Sequence, residues 1–379
     1  MAERTPLYDS HLALGAKTGP FAGYDMPLYY KDGVLQEHLW TRAQAGLFDV
    51  SHMGQAIVEG AGAVSFLERI TPSSFQNKPN GRAQYTVLTN EAGGIVDDLI
   101  ITRLEEQRFF LVFNAGCKDK DIGWMKAVLP DGASFQVLDT RALIALQGPK
   151  AAEALMSVFA VDTSALPYMA IMQDVDIAGA HCYVSRLGYT GEDGFEISVP
   201  GEKAALIWSA LLRSEMVKPV GLAARDSLRL EMGYPLYGHD IDDTTSPVEA
   251  GLSWVMGKDN TGFIGADKVL AQKAAGPERV RVGVRLLDKG VAREGSEIRN
   301  DLDVKIGMLT SGGFSPSLEA SIGMGYVPVA YAAPGTKIFV TVRGRNIAAE
   351  IAAMPFVPAR TKSMKKLDTG IEKKGAVNG

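Results

Sequence analysis

The sequence predicts an α+β protein of more than one domain, ending in an all-β unit. Three observations carry this. A hairpin, a third strand and a helix succeed one another between residues 83 and 129, the order of a split β-α-β, ferredoxin-like unit. Helical apolar periodicity alternates with short β-branched runs through the first 275 residues. After Gly276-Pro277 the composition shifts to strand-like runs separated by turns, a small sandwich or barrel. With 379 residues the chain exceeds one ordinary core, so two or three domains are expected.

In order, Phe21, Tyr24, Tyr29 and Tyr30 fall in a loop-like stretch, and a helix is expected over 34–45, stopped by Gly46. A strand at 55–58 and a helix over 62–70, carrying Val64, Phe66, Leu67 and Ile70, come next. Strands 83–89 and 95–102 form a hairpin across Asn90-Glu91-Ala92-Gly93-Gly94, which is turn chemistry. A strand at 108–113 and a helix over 119–129 complete the split unit. A buried-type strand ends at Gln147, and Pro149 suits the first turn of a helix running to about 159. Strands follow at 183–186 and through 195–199, then helices over 202–213 and 265–275. The all-β unit has strands at 280–286, 305–310, 321–327, 337–342 and 347–356. The expected division is therefore 1–275, 276–358 and a mobile tail, 359–379.

Apolar residues make up 46% and charged residues 22%, a globular balance, and the net charge of -5 argues against nucleic acid as the main partner. No apolar run approaches the roughly 18 residues a membrane span needs. The amino terminus lacks a signal-peptide h-region and an Arg-rich transit pattern. Cys117 and Cys182 are the two cysteines, without a CxxC, which suits a reducing compartment. A cytoplasmic protein is expected.

The chemistry concentrates on acids. Asp97 and Asp98 open the second hairpin strand, and alternation sends them to opposite faces. At least one then faces an interior or a cleft, where a carboxylate needs a partner or a ligand. The pair either bonds its own turn or forms a site for cationic chemistry. Gly188, Gly191 and Gly194 let a backbone pass close to something, and Glu192 and Asp193 make that loop unsuited to phosphate but suited to paired N–H donors. Glu196 and Ser198 oppose the apolar face of Phe195, Ile197 and Val199, at a solvated edge or at a site. Arg225 and Arg229 stand at i, i+4, and Asp226 can pair with Arg229 in a surface salt bridge. Asn114 is either a turn or N-cap residue or a polar contact at a strand end. His52 reads more readily as a structural hydrogen bonder than as an acid–base group. His11, His38, His52, His181 and His239 show no ligand spacing, so no metal is expected.

Phe48-Asp49-Val50-Ser51-His52-Met53-Gly54, Gly94-Ile95-Val96-Asp97-Asp98-Leu99, Leu146-Gln147-Gly148-Pro149, Gly188-Tyr189-Thr190-Gly191-Glu192-Asp193-Gly194-Phe195-Glu196, Ala224-Arg225-Asp226-Ser227-Leu228-Arg229-Leu230-Glu231 and Thr310-Ser311-Gly312 with Ser315-Pro316 occur in order. Together they closely resemble the glycine cleavage T-protein family, from Thr5-Pro6-Leu7 to Met354-Pro355-Phe356-Val357. The resemblance implies three domains around a folate cavity. The first is discontinuous (about 1–55 plus 140–275), the second is a ferredoxin-like insert (about 56–139), and the last is all-β. It also implies a tetrahydrofolate-dependent aminomethyltransferase that takes its carbon from the lipoyl arm of H protein, forms 5,10-methylenetetrahydrofolate and releases ammonia.

By the same resemblance Asp98 is the aspartate acting on the folate nitrogens, Glu196 binds the pterin edge and Arg225 lies beside the folate. Tyr85, Asn114, Tyr189 and Asp97 fall on or near positions lining that cavity. Where the family often carries an aromatic or basic group after Pro-Phe-Val, this chain has Arg360 and Thr361. Two rivals share the fold. One is a folate-dependent demethylase or methyltransferase of a small methylated substrate. The other is a non-enzymatic folate-binding paralogue assisting iron–sulfur assembly, against which count the intact Asp97-Asp98 pair and the lack of a cysteine motif at 188–196.

Overall fold

Strand alternation and helix stripes fold the chain into two compact units in this computed structural model, which describes residues 2–362. Among the described residues one unit comprises 2–52, 140–224 and 359–362, the other 53–139 and 225–358. No described helix is long and apolar enough to cross a membrane.

The first unit is built on a six-stranded sheet in the order Ala170–Ile177, Ala180–Arg186, Gly194–Pro200, Arg141–Gln147, Ala45–Asp49, Val217–Pro219. Phe195, Ile197 and Val199 enter a core with Ile144, Leu146 and the helix residues Leu155, Ile207, Trp208 and Leu211. Two local expectations change here. The aromatic stretch is a hairpin, Lys17–Phe21 with Tyr24–Tyr29, because Pro20 and Pro27 are tolerated in a two-stranded ribbon, where each strand has a second side outside the ladder. The helix is Gly33–Ala43, and Gly46 lies inside the strand Ala45–Asp49 instead of stopping a helix. Its hydrogen is required there, since a Cβ would stand 2.4 Å from Thr41 Oγ1.

The second unit holds an antiparallel sheet in the order Ala83–Thr89, Ile95–Glu105, Arg108–Phe113, Gly54–Glu59, Ser134–Val137. The last four strands follow the ferredoxin-like arrangement, and Ala83–Thr89 adds an extra edge strand. Helices Ala63–Ile70 and Lys118–Ala127 cover one face, burying Phe66, Leu67, Ile70 and Met125 against Leu99, Ile101 and Leu111. Residues 279–352 form a closed six-stranded barrel: Arg279–Leu286 pairs with both Ala320–Pro328 and Arg345–Ala352, so no edge remains. A three-residue strand, Glu297–Arg299, closes the ring between Lys305–Ser315 and Lys337–Val342.

Residues 225–275 fall in the barrel's unit, whereas the sequence expectation groups them with 1–224. Partly buried hydrogen bonds tie them there: the Arg281 guanidinium donates to Gly233 O at 2.8 Å and Ala250 O at 3.0 Å. The expected mobile tail changes at its start. Arg360 donates from its backbone N to Gly191 O at 2.8 Å and from Nη2 to Arg42 O at 2.7 Å, so 359–362 are pinned within the first unit. The rest of that tail, 363–379, lies outside the described residues.

Candidate active site

The hairpin turn is fixed by Asn90, whose side-chain oxygen accepts from Ala92 N and Gly94 N. Gly94 is held so tightly that a Cβ would sit 1.8 Å from Asp243 O. Gly94→Ala is expected to destabilise the protein by about 1–3 kcal/mol, because a main-chain oxygen must move to admit the methyl group. A urea midpoint equal to wild type would show that this loop yields freely.

Beyond the turn, alternation separates the two carboxylates. Asp97 is fully buried and shares its face with Leu99 and Ile101, under the helices. Asp98 is half-buried on the other face, opposite Val87. Asn114 bridges them: Nδ2 donates to Asp97 Oδ1 at 2.9 Å and Asp98 Oδ1 at 2.8 Å, and the backbone N donates to Asp97 Oδ2 at 3.2 Å. Asn114 also precedes the 3-10 turn Ala115–Cys117, but its side chain makes no capping bond. The carboxylates claim it instead. Tyr85 stacks on Trp254 with centroids 5.6 Å apart and planes inclined by 22°, leaving the indole 65% exposed. A flat apolar platform thus stands near the half-buried acid, and the sequence reading had not singled out Trp254. Its pairing with Tyr85 is long-range and leaves no local signal.

Burial, then the charge of Asp97, pushes the Asp98 carboxyl up to about 7, while bonds from Tyr85 and Asn114 pull it down. The group therefore changes charge near neutrality. On the covered face, burial followed by Asp97 pushes Asp121 up to about 10, and burial keeps the Cys117 thiol protonated to about 12. Asp97, Cys117 and Asp121 are a set of donors that could hold a cation, a cluster not anticipated from the histidine spacing.

The first unit contains Glu196 and Tyr189. Glu196 is 9% exposed on a strand paired on both sides, so the solvated-edge reading does not hold. Ser198, on the same face, accepts from Arg141 Nε at 2.8 Å. The glycine loop passes close to Gln147: a Cβ on Gly188 would stand 1.9 Å from Gln147 Oε1, and Thr190 Oγ1 donates to that oxygen at 2.8 Å. Its acids meet arginines, although Glu192 does so through Oε1 alone and its buried Oε2 has no hydrogen-bond partner among the described residues. Glu192 accepts from Arg42 Nη1 at 2.9 Å and Arg360 Nε at 3.0 Å, and Asp193 from Arg186 Nε at 2.8 Å. Tyr189 is half-buried in this loop. His52 is 3% exposed with its ring against Phe21 and Tyr24.

Arg225 lies half-buried on the helix Leu222–Glu231, in the second unit. Arg229 on the same helix is not a surface residue: it is 3% exposed, with Nη1 donating to the buried Asp240 at 2.7 Å as well as Nε to Asp226 at 2.8 Å. The structure thus brings Asp97, Asp98, Asn114 and Tyr85 together in one unit.

Residues 7–260 match the GCVT N-terminal domain family, and 279–358 match the glycine cleavage T-protein C-terminal barrel domain. A mitochondrial aminomethyltransferase of Flaveria anomala is 45% identical, over 94% of this chain and 90% of its own. An aminomethyltransferase of Phocaeicola vulgatus is 43% identical, over 93% of this chain and 99% of its own. The crystal structure of glycine cleavage system aminomethyltransferase T from Bartonella henselae superposes with a TM-score of 0.91 at 42% identity, covering 96% of this chain and 100% of that one. By sequence over nearly its whole length and by fold, the chain belongs to the glycine cleavage T-protein family, the aminomethyltransferases.

Proposed function

We propose that the protein transfers the carbon of an aminomethyl group, carried on the lipoyl arm of H protein, to tetrahydrofolate, yielding 5,10-methylenetetrahydrofolate and ammonia. The observation that supports this best is Asp98: a half-buried carboxylate, bonded by Asn114, beside the Tyr85–Trp254 platform and titrating near 7. Bound folate supplies the nitrogens that accept the carbon. Asp98 places a negative charge where positive charge develops as the C–S bond breaks, and its fixed position avoids reorganisation during the step. The stacked rings offer a flat surface to an aromatic substrate. Glu196 offers two oxygens to the paired N–H groups of a pterin edge. Arg225, Tyr189 and Asp97 keep the supporting roles that the family resemblance gives them.

Ammonia release and methylenetetrahydrofolate formation from aminomethylated H protein, each dependent on tetrahydrofolate, test the reading. Turnover of a small N-methylated amine without H protein would replace it by the demethylase reading. Glu196→Ala and Arg225→Ala are each expected to weaken tetrahydrofolate binding by about 1.5–3 kcal/mol, roughly ten- to a hundredfold, for loss of a charge-assisted contact. Calorimetry measures this. A variant that unfolds without losing affinity in its folded fraction would assign that residue to the fold instead.

A further inference from the structure

Under the hairpin, on the face away from Asp98, Asp97, Cys117 and Asp121 bring one donor atom each within 4.8 Å of one another. They come from the strand Ile95–Glu105, the turn Ala115–Cys117 and the helix Lys118–Ala127. Asp97 and Asp121 are both 0% exposed. Their surroundings differ. Asp97 receives the backbone and side-chain N–H groups of Asn114. Asp121 receives no N–H or hydroxyl donor at either oxygen. The Lys120 ammonium stands 4.0 Å from Asp121 Oδ1, but its hydrogens go to Val96 O and the Tyr237 hydroxyl.

A buried carboxylate ion without donors is unfavourable, whereas a buried carboxylic acid beside an anionic acceptor is not. We infer that Asp121 is a positioning residue, a neutral acid whose O–H donates to Asp97 and so fixes, through Asp97, the Asn114 amide that meets Asp98. A proton suits this cluster better than a metal ion does. The Lys120 ammonium already supplies positive charge at its rim. The groups facing Asp121 are Asp97 from the strand, Cys117 from the turn and Lys120 from its own helix, while Asp98 acts on it more weakly from the other face of the strand. Tyr237 lies behind Lys120. Burial and Asp97 hold the proton to about pH 10 against the opposing pull of Lys120. Its loss would set two buried anions side by side and take from Asp97 the donor that orients it.

The rate readout rests on the proposed transfer reaction, and the stability readout does not. Because the folded-state value lies above the usual 3.8, the unliganded protein takes up a proton on folding between those two values. Stability due to Asp121 is therefore full below about pH 4 and declines as pH rises toward 10. Asp121→Asn keeps a donor for Asp97 and cannot titrate. Its unfolding free energy between pH 5 and 9 is expected to fall less steeply than wild type, by about one proton. Its single-turnover rate at pH 7.5 should lie within about threefold of wild type, without the alkaline decline near pH 10. Asp121→Ala should be slower by about tenfold, the rate equivalent of one hydrogen bond.

An Asn variant with the wild-type pH–stability slope would overturn the proposal even if transfer were never observed. So would an Asn variant as slow as the Ala variant. A stoichiometric zinc or magnesium ion in the purified protein, whose removal by chelator alters that slope, would overturn it in favour of a metal site. If the Ala variant does not fold, the Asn variant's slope alone decides.

Discussion

Asp98→Asn is expected to leave tetrahydrofolate bound while single-turnover transfer slows by about a hundred- to a thousandfold, about 2.7–4 kcal/mol of barrier. The amide has nearly the shape of the carboxylate and can still meet Asn114, so the swap isolates charge from geometry. The pH dependence gives a second signature. With the Asp98 carboxyl at about 7, wild-type transfer should rise with pH through neutrality and level off above it, while the Asn variant stays flat there. Stability should move the other way. A carboxyl raised above its usual 3.8 is most stabilising when protonated, and its contribution is lost as pH rises through about 7. Asp98→Asn should therefore melt higher than wild type at pH 8 and lose that advantage near pH 4. Asp97→Asn should be milder for chemistry and harsher for stability, because Asp97 is fully buried and holds the Asn114 backbone. Wild-type speed in Asp98→Asn together with slow Asp97→Asn would mean that catalysis uses the covered face. Wild-type speed in both would leave positioning alone to account for catalysis.

Much of this site was legible because its signals are local. The glycine turn and β-branched run after it gave the hairpin, and the period of two gave opposite facings for Asp97 and Asp98. The same period put Phe195, Ile197 and Val199 in a core and Glu196 on the other face. Three glycines predict a backbone passing close to something, and Gly188 and Gly194 do pass close to the buried Gln147. Signals that depend on a distant partner were harder to read. Glu192 and Asp193 looked wholly available to a ligand because sequence does not show that the distant Arg42 and Arg360 reach Glu192, or that the strand turns Arg186 onto Asp193. Asp121 stands at i, i+4 with Met125, so a helical period puts both on one face, but a carboxylate gives no sequence sign that it is buried there. Gly46 resembled a helix stop because a glycine needed for close packing and one needed for a cap look alike in sequence. The strand Glu297–Arg299 is too short to carry a pattern at all.

Arg229→Ala should cost about 3–5 kcal/mol of stability, a large share of the roughly 5–15 kcal/mol typical of folded proteins. The guanidinium is buried and spends its donors on Asp240 at 2.7 Å, Ser311 Oγ at 2.9 Å, Tyr234 O at 3.1 Å and Asp226 at 2.8 Å. Asp240, itself 1% exposed, also accepts from Leu236 N at 3.0 Å, Thr310 Oγ1 at 2.6 Å and Ser311 Oγ at 2.8 Å. Helix Leu222–Glu231, the loop after it and the strand Lys305–Ser315 are thus joined through one ion pair. Removing the cation leaves a buried anion with neutral donors alone, which is why the cost far exceeds that of an exposed pair. The Asp226 bond contributes little, since that carboxylate is 57% exposed. Arg229→Lys should fall between, keeping the charge but not the fork that reaches Asp240 and Ser311 together. A double-mutant cycle isolates the pair. If Arg229→Met with Asp240→Leu is less damaging than Arg229→Ala alone, the loss came from stranding Asp240 rather than from missing contacts. Denaturant midpoints at pH 7 measure each variant, and a loss below about 1 kcal/mol in Arg229→Ala would restore the surface salt-bridge reading of this helix.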